Sequence, residues 1–271
     1  MNMPAPARTS LSLPTRLLVA ALGCLVLLYA VACLVLWAKQ ADYRYFPVRT
    51  RLAQIPVEVL HRPDARVLVS VQPFAGGDAI VYFGGNAEDV SRTVPELARW
   101  FPRSAIYAMH YRGYGGSEGT AEETALVGDA LALFDRVHRG HPSVTAIGRS
   151  LGTGIAVQLA AARPLARLVL VTPYDSIVAV GAEQFPAFPV AWLARDRYDS
   201  AAVAGAIRTP TTLVIAQQDR VIPPAHAQRL LRSFAPGVAH AVVLDGVGHN
   251  DVSRAPGYAQ ALGAATPAAP W

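Results

Sequence analysis

The chain has 271 residues, of which 52% are apolar and 16% are charged, and its formal net charge is +5 at pH 7. This length allows one large domain or two small ones with a substantial buried core. The basic residues are scattered, without the basic and aromatic clusters or zinc-ligand spacing of nucleic-acid-binding proteins. We therefore expect no nucleic-acid partner, no bound metal and no cofactor.

The first element is an apolar segment over residues 17–37 that contains no charged side chain. At about 1.5 Å rise per residue, a helix of this length spans about 31 Å, enough to cross a bilayer. A cleaved signal peptide is the alternative, but its apolar core is shorter, and the small-residue spacing at Ala30 and Ala32 lies inside the run. We predict a tail over residues 1–16, a transmembrane anchor over 17–37 and a juxtamembrane connector over 38–54.

The charges that flank the apolar segment leave its orientation open. Basic residues stand on both sides, at Arg8 and Arg16 before it and at Lys39 and Arg44 after it. The positive-inside rule therefore gives no clear side of the membrane. We expect a single-pass membrane protein, with the side that holds the globular part undetermined.

From residue 56 onward, apolar runs of strand length alternate with helical patterns. This alternation predicts an α/β fold over residues 55–271, a doubly wound and mostly parallel sheet with helices on both faces. In such sheets the ligand site lies at the carboxyl ends of the strands. The predicted strands are 56–60, 67–71, 79–83, 105–109, 144–147, 168–171, 212–216 and 241–244, and the predicted helices are 90–100, 122–137, 155–162 and 225–234.

A G-x-S-x-G pattern, from Gly148 to Gly152, stands between a predicted strand and a predicted helix. In this context the pattern is typical of a nucleophile elbow, a tight turn that exposes the serine hydroxyl. It predicts Ser150 as the nucleophile and the N–H of Leu151 as a donor to an oxyanion. The alternative is a glycine-rich turn whose serine only caps the helix.

An acid and a base follow later strands, as an activated serine requires. His249 lies in a glycine-rich turn after the last predicted strand, and we predict it as the base. Asp219 follows the strand over 212–216 and is the preferred acid, with Asp175 after the preceding strand as the alternative. The order Ser, Asp, His along the chain is the order that this fold uses.

A second oxyanion donor is expected in the loop after an early strand. Gly84 and Gly85 follow the strand over 79–83 and allow the backbone to approach a substrate, and the N–H of Asn86 is the predicted donor. The alternative is that these glycines only permit a turn.

Residues from about 55 to 262 resemble the α/β-hydrolase superfamily, and within it the small membrane-anchored serine hydrolases that include depalmitoylase-like proteins and bacterial relatives. The resemblance implies a membrane-bound serine hydrolase that cleaves a small-molecule or lipid acyl ester or thioester through an acyl-enzyme. Two positions depart from the family's pattern: Gly84 replaces its histidine, and His110 replaces an acid or asparagine. The matching segments are 83–87, 111–119, 148–154, 219–223 and 248–251.

The predicted cap insert, about 176–209, is short and contains an apolar cluster over 185–193. We expect one of two roles for this cluster: its side chains contact acyl chains or the bilayer, or they only cover the sheet. Two other functions stay open: a peptidase or amidase that uses the same triad, and a membrane-tethered binding or scaffold protein with an impaired site. The residues do not assign the substrate-binding side chains or the oligomeric state.

Overall fold

A computed structural model of the chain describes residues 12–264. Residues 1–11 of the predicted tail and residues 265–271 of the predicted domain lie outside the described residues. The chain divides into two compact units, Met1–Gln40 and Ala41–Trp271.

The apolar helix α1, Leu13–Arg44, begins in the first unit, and its last four residues belong to the second unit. The helix is long and apolar enough to cross a membrane by length and composition. It is longer than the apolar run over 17–37 because the polar residues beyond both ends continue the helical backbone. The first residues of the predicted connector over 38–54 are therefore helical.

The second unit contains one sheet, formed by eight strands between residues 57 and 244 in the order β1-β2-β4-β3-β5-β6-β7-β8. The pairs β1·β2 and β2·β4 are antiparallel, and all other pairs are parallel. The predicted α/β, mostly parallel architecture is confirmed. The strands are β1 Val57–His61, β2 Arg66–Gln72, β3 Asp78–Phe83, β4 Ala105–Met109, β5 Ser143–Arg149, β6 Arg167–Val171, β7 Thr211–Ala216 and β8 Ala239–Leu244.

Helices cover both faces of the sheet. Neighbouring residues of a strand point to opposite faces, so Ala146 packs in one apolar cluster with α3, α4 and α8, and Ile147 packs in the other with α2 and α9. The helices after α1 are α2 Val94–Trp100, α3 Glu123–His138, α4 Leu151–Ala162, α5 Ile177–Gln184, α6 Val190–Leu193, α7 Ser200–Ala204, α8 Pro224–Ser233 and α9 Tyr258–Ala261.

The predicted helix over 90–100 differs from the structure. A 3₁₀ turn, Val90–Arg92, comes first, and α2 begins at Val94 with Pro95 in its first turn. Proline lacks the N–H that a continuous helix would need at this point, so it begins a new helix.

The cap insert contains α5, α6 and α7. Val178 and Val180 of α5 are buried, whereas Phe185 is 51% exposed and Trp192 is 89% exposed. Val180 packs in the same apolar cluster as α3, α4 and α8, whereas the side chains of Phe185 and Trp192 are exposed.

A buried ion-pair network fixes the loop that follows β4. Asp129 of α3 is fully buried and accepts hydrogen bonds from Arg112 at 2.8 and 3.0 Å and from Arg62 at 3.0 Å. Arg112 also donates to Asp64, whose side chain is 66% exposed. The carboxylates of Asp129 and Asp64 raise the pKa of Arg112. Asp129 thus ties the loop and β1–β2 to the helix layer.

Replacing Asp129 with alanine should lower the free energy of unfolding by about 3 kcal/mol, because the buried guanidinium of Arg112 then loses its buried partner and keeps only the exposed Asp64. The matched control Asp64→Ala removes the exposed partner of the same arginine and should cost at most about 1 kcal/mol. Denaturant unfolding of the detergent-solubilised protein measures both. Equal losses in the two variants would contradict this account.

A second buried group is the imidazole of His110, at the end of β4. It is 2% exposed, and its Nε2 lies 2.8 Å from the hydroxyl of Ser70. Burial lowers the pKa of His110 from 6.5 to about 4. The unfolded chain therefore binds more protons than the folded chain between these two pH values.

The contribution of His110 should lower the free energy of unfolding by about 3 kcal/mol as the pH decreases from 6.5 to 4. In the variant His110→Asn, which carries one of the two kinds of side chain that the resemblance implies here, this part of the pH dependence should disappear. Unfolding measured at several pH values tests it. Parallel pH curves for the parent and the variant would refute the assignment.

Candidate active site

The turn between β5 and α4 has the geometry of a nucleophile elbow. Ser150 has φ 49° and ψ −116°, a strained conformation for a residue with a side chain. A Cβ at Gly148 would overlap the backbone of Gly152, and a Cβ at Gly152 would overlap the carbonyl of Phe83. The two glycines are therefore required by space, and the turn projects Ser150 at the carboxyl end of β5.

Three side chains from distant parts of the chain meet at this turn. The Nε2 of His249 lies 2.9 Å from the Oγ of Ser150, and its Nδ1 lies 2.7 Å from the Oδ2 of Asp219. The other carboxylate oxygen of Asp219 accepts hydrogen bonds from the N–H groups of Val221 at 2.9 Å and Ile222 at 2.8 Å. When the Nδ1–H group donates its hydrogen bond to the carboxylate of Asp219, Nε2 has no proton and can accept the proton of Ser150.

The alternative acid, Asp175, lies in a different cluster. It contacts the Nδ1 of His226 at 2.6 Å and the Nε of Arg229 at 2.5 Å, and both of these residues also contact Glu183. These contacts join the cap helix α5 to α8. No pattern in the sequence links Asp175 to His226, because the two residues are far apart in the chain.

The two predicted oxyanion donors have unoccupied N–H groups. Within residues 12–264, neither the N–H of Leu151 nor that of Asn86 donates to an acceptor. By contrast, the neighbouring N–H of Gly85 donates a hydrogen bond to the Oε2 of Glu88 at 2.7 Å. A Cβ at Gly85 would lie 3.6 Å from the Cβ of Ser150, so this loop lies beside the serine.

Glu88 is a site residue that the sequence analysis missed. Its carboxylate accepts hydrogen bonds from the N–H of Gly85, from the hydroxyls of Tyr82 at 2.7 Å and Thr93 at 2.8 Å, and from Arg149 at 3.2 Å. The only signal in the sequence is an acid directly after the Gly-Gly-Asn-Ala segment. Glu88 thereby joins the loop after β3 to the residue that precedes Ser150.

The contacts of Glu88 explain how the loop tolerates Gly84. A Cβ at Gly84 would overlap the side chain of Val90, so the histidine common in the family does not fit here. The carbonyl of Gly84 accepts the hydroxyl of Tyr111 at 2.6 Å, and Glu88 fixes the next residue. The loop is therefore held by a carboxylate and a tyrosine instead of a histidine.

A cleft of about 390 Å³ opens above Ser150. Its lining is largely polar, and its charges form the pairs Arg149–Glu88 and Arg92–Asp89. These side chains are candidates for substrate contact, which the sequence left unassigned. The lining residues are Gly85, Asn86, Ala87, Glu88, Asp89, Arg92, Thr93, Arg149, Ser150, His249 and Asn250.

Known proteins are similar to most of this chain, although no family model matches it. An uncharacterized protein of Mycobacterium tuberculosis is 34% identical over 180 residues, which is 65% of this chain and 64% of that protein. An α/β-hydrolase domain-containing protein of Caenorhabditis elegans is 29% identical over 68% of this chain and 55% of its own length. A lysophosphatidylserine lipase of Macaca fascicularis is 29% identical over 48% and 38%, respectively. The chain spans less than two thirds of the length of these relatives.

Solved structures share the fold. A hydrolase from Pseudomonas aeruginosa has a TM-score of 0.62 and 18% identity, over 78% of this chain and 98% of that one. An esterase from Pyrococcus furiosus has a TM-score of 0.59 and 16% identity, over 78% and 92%. Together with the named relatives, these similarities confirm the resemblance at the level of the superfamily. The chain has the α/β-hydrolase fold, and relatives that resemble it are named α/β-hydrolase domain-containing proteins.

Proposed function

We propose that the protein is a membrane-anchored serine hydrolase that cleaves an acyl ester or thioester. The observation that supports this most is the continuous line of contacts from Ser150 through His249 to Asp219, at 2.9 and 2.7 Å. These distances lie within the reach that proton transfer between a nucleophile and its base requires. Ser150 is the nucleophile, His249 the base and Asp219 the acid that orients the base.

In the first half of the reaction, the Oγ of Ser150 attacks the acyl carbonyl while its proton moves to the Nε2 of His249. The carbonyl oxygen becomes an oxyanion, which the N–H groups of Leu151 and Asn86 stabilise. The tetrahedral intermediate collapses, the bond to the leaving group breaks, and His249 donates its proton to that group. An acyl ester on Ser150 remains.

In the second half, His249 takes a proton from water, and the resulting hydroxide attacks the acyl carbonyl. The second tetrahedral intermediate collapses, its bond to the Oγ of Ser150 breaks, and His249 donates its proton to that oxygen as the carboxylic acid leaves. Asp219 is not protonated in either half. Its carboxylate accepts the hydrogen bond from the Nδ1–H of His249 and stabilises the imidazolium that forms in each half.

Two further features support an acyl substrate and a membrane location. One relative is named a lysophosphatidylserine lipase, one structural neighbour is an esterase, and another is a thioesterase domain from the curacin biosynthetic pathway. The helix α1 satisfies the length and composition of a membrane span. An amidase would use the same triad, but nothing in the cleft favours it.

A non-catalytic scaffold is less well supported than an enzyme. That alternative depends on Gly84, because a residue without a side chain at the position of the family's histidine would loosen the loop that contains Asn86. The hydrogen bonds from Gly85 to Glu88 and from Tyr111 to the carbonyl of Gly84 supply the missing support. We therefore favour the enzyme.

Two aspartates, each bonded to a histidine, give a matched test of the acid. In Asp219→Asn the imidazole should lose its useful tautomer, and kcat for a short p-nitrophenyl ester should fall by about 10⁴-fold. Asp175→Asn changes the other aspartate and should keep kcat within about threefold, because Asp175 contacts His226 and Arg229 instead of His249.

The kcat of Ser150→Ala should be about 10⁶-fold lower than that of the parent. Steady-state kinetics of the detergent-solubilised full chain measure all three variants. Parental turnover in Ser150→Ala would refute the mechanism, and equal losses at Asp175 and Asp219 would refute the assignment of the acid.

A further inference from the structure

The side chain of Asn86, whose N–H is the proposed second oxyanion donor, forms hydrogen bonds with a different part of the chain. Its Nδ2 donates to the carbonyl of Arg44 at 2.5 Å, and its Oδ1 accepts the N–H of Phe46 at 2.9 Å. An amide side chain here makes the two hydrogen bonds that a neighbouring peptide group would make. The backbone over residues 44–46 and Asn86 are thus paired through both a donor and an acceptor.

A third contact to Asn86 comes from the loop after β4. The hydroxyl of Tyr114 donates to the same Oδ1 at 2.8 Å. Burial raises the pKa of Tyr114 to about 12, so this hydroxyl keeps its proton at neutral pH. The ring of Tyr114 also packs edge-on against Tyr111, which holds the carbonyl of Gly84.

The segment over residues 44–46 is itself packed within the second unit, Ala41–Trp271. Tyr45 is 6% exposed, and its hydroxyl contacts Asp196 at 2.8 Å and the hydroxyl of Tyr198 at 2.9 Å. Arg44 forms an ion pair with Asp196 at 2.5 Å. These contacts make residues 44–46 a packed part of this unit, whereas the sequence predicted only a connector there.

We propose that residues 44–46, together with Tyr114, position the oxyanion donor of Asn86. This inference rests on the proposed function. The direction of the Asn86 N–H depends on the peptide plane between Gly85 and Asn86. The three hydrogen bonds described above, with a fourth from the N–H of Ala87 at 3.1 Å, restrict the rotation of the Asn86 side chain. A misplacement of about 1 Å in such a group is enough to lower a rate by about 10²-fold.

The inference gives the end of α1 a role in the reaction. Arg44 is the last residue of the helix that contains the proposed membrane span, and its carbonyl accepts the hydrogen bond from Asn86. The chain that leaves the span is therefore, in this proposal, a part of the catalytic machinery that sets the geometry of the oxyanion hole.

The kinetic test uses two substitutions in the full chain. Asn86→Ala keeps the backbone N–H but loses all four side-chain hydrogen bonds, and its kcat should fall about 10- to 100-fold with KM within about twofold, because the oxyanion contact is made in the transition state. Tyr114→Phe removes one of the four hydrogen bonds and should lower kcat about 3- to 10-fold. The control Tyr107→Phe also loses one hydroxyl, which contacts His141 at 3.1 Å, and should keep the parental kcat.

A folded Asn86→Ala variant whose kcat lies within twofold of the parent would overturn the proposal. If Asn86→Ala does not fold, Tyr114→Phe against Tyr107→Phe decides instead, and equal kcat values in these two variants would overturn it as well. A rise in KM with unchanged kcat would also contradict it, since that pattern indicates a role in substrate binding.

Hydrogen exchange separates this inference from the proposed function. In Asn86→Ala or Tyr114→Phe, the amides of residues 44–46 and 84–87 should exchange faster than in the parent, and in Tyr107→Phe they should not. A parent that hydrolyses no ester or thioester would refute the proposed function. In that case faster exchange at residues 44–46 would still support their pairing with Asn86, and unchanged exchange would overturn it.

Discussion

The close packing of Gly148 and Gly152 at the end of β5 is the constraint on which the rest of the site depends. The two glycines allow the strand to turn directly into α4, and the resulting conformation holds Ser150 at φ 49°. The cost of this strained residue is offset by the burial of α4, whose apolar residues pack against α3 and the sheet. Because β5 lies between β3 and β6, the loops after neighbouring parallel strands end near the same point.

The loop after β3 shows how the site is completed by polar contacts. The carbonyl of Gly84 is held by Tyr111, the N–H of Gly85 by Glu88, and the side chain of Asn86 by residues 44–46. Each contact comes from a different part of the chain, and together they leave the N–H of Asn86 unoccupied. An N–H that is fixed before the substrate arrives needs no reorganisation during the reaction, which is the main advantage of an oxyanion hole.

The sequence predicted the central parallel strands well because the apolar runs of β3, β6 and β7 reflect burial on both faces of the sheet, whereas the edge strands β1 and β8 are partly exposed. It also predicted the residues that follow strand ends, since the topology brings those ends together. It left Asp175 and Asp219 as alternatives, because both follow strands and only the distances to His249 distinguish them. The contacts of Glu88 and of residues 44–46 were missed for another reason. Single hydrogen bonds of polar side chains, whether to near neighbours such as Gly85 or to a distant residue such as Asn86, leave no periodic pattern in the sequence.

The central claim is that Ser150 is an activated nucleophile, and covalent labelling tests it most directly. The full chain is treated with a fluorophosphonate, which reacts with activated serines, and the modified peptide is identified by mass spectrometry. We predict a single adduct on the peptide that contains Ser150, and we predict that His249→Ala abolishes it. An adduct at another residue, or equal labelling of the His249→Ala variant, would contradict the account.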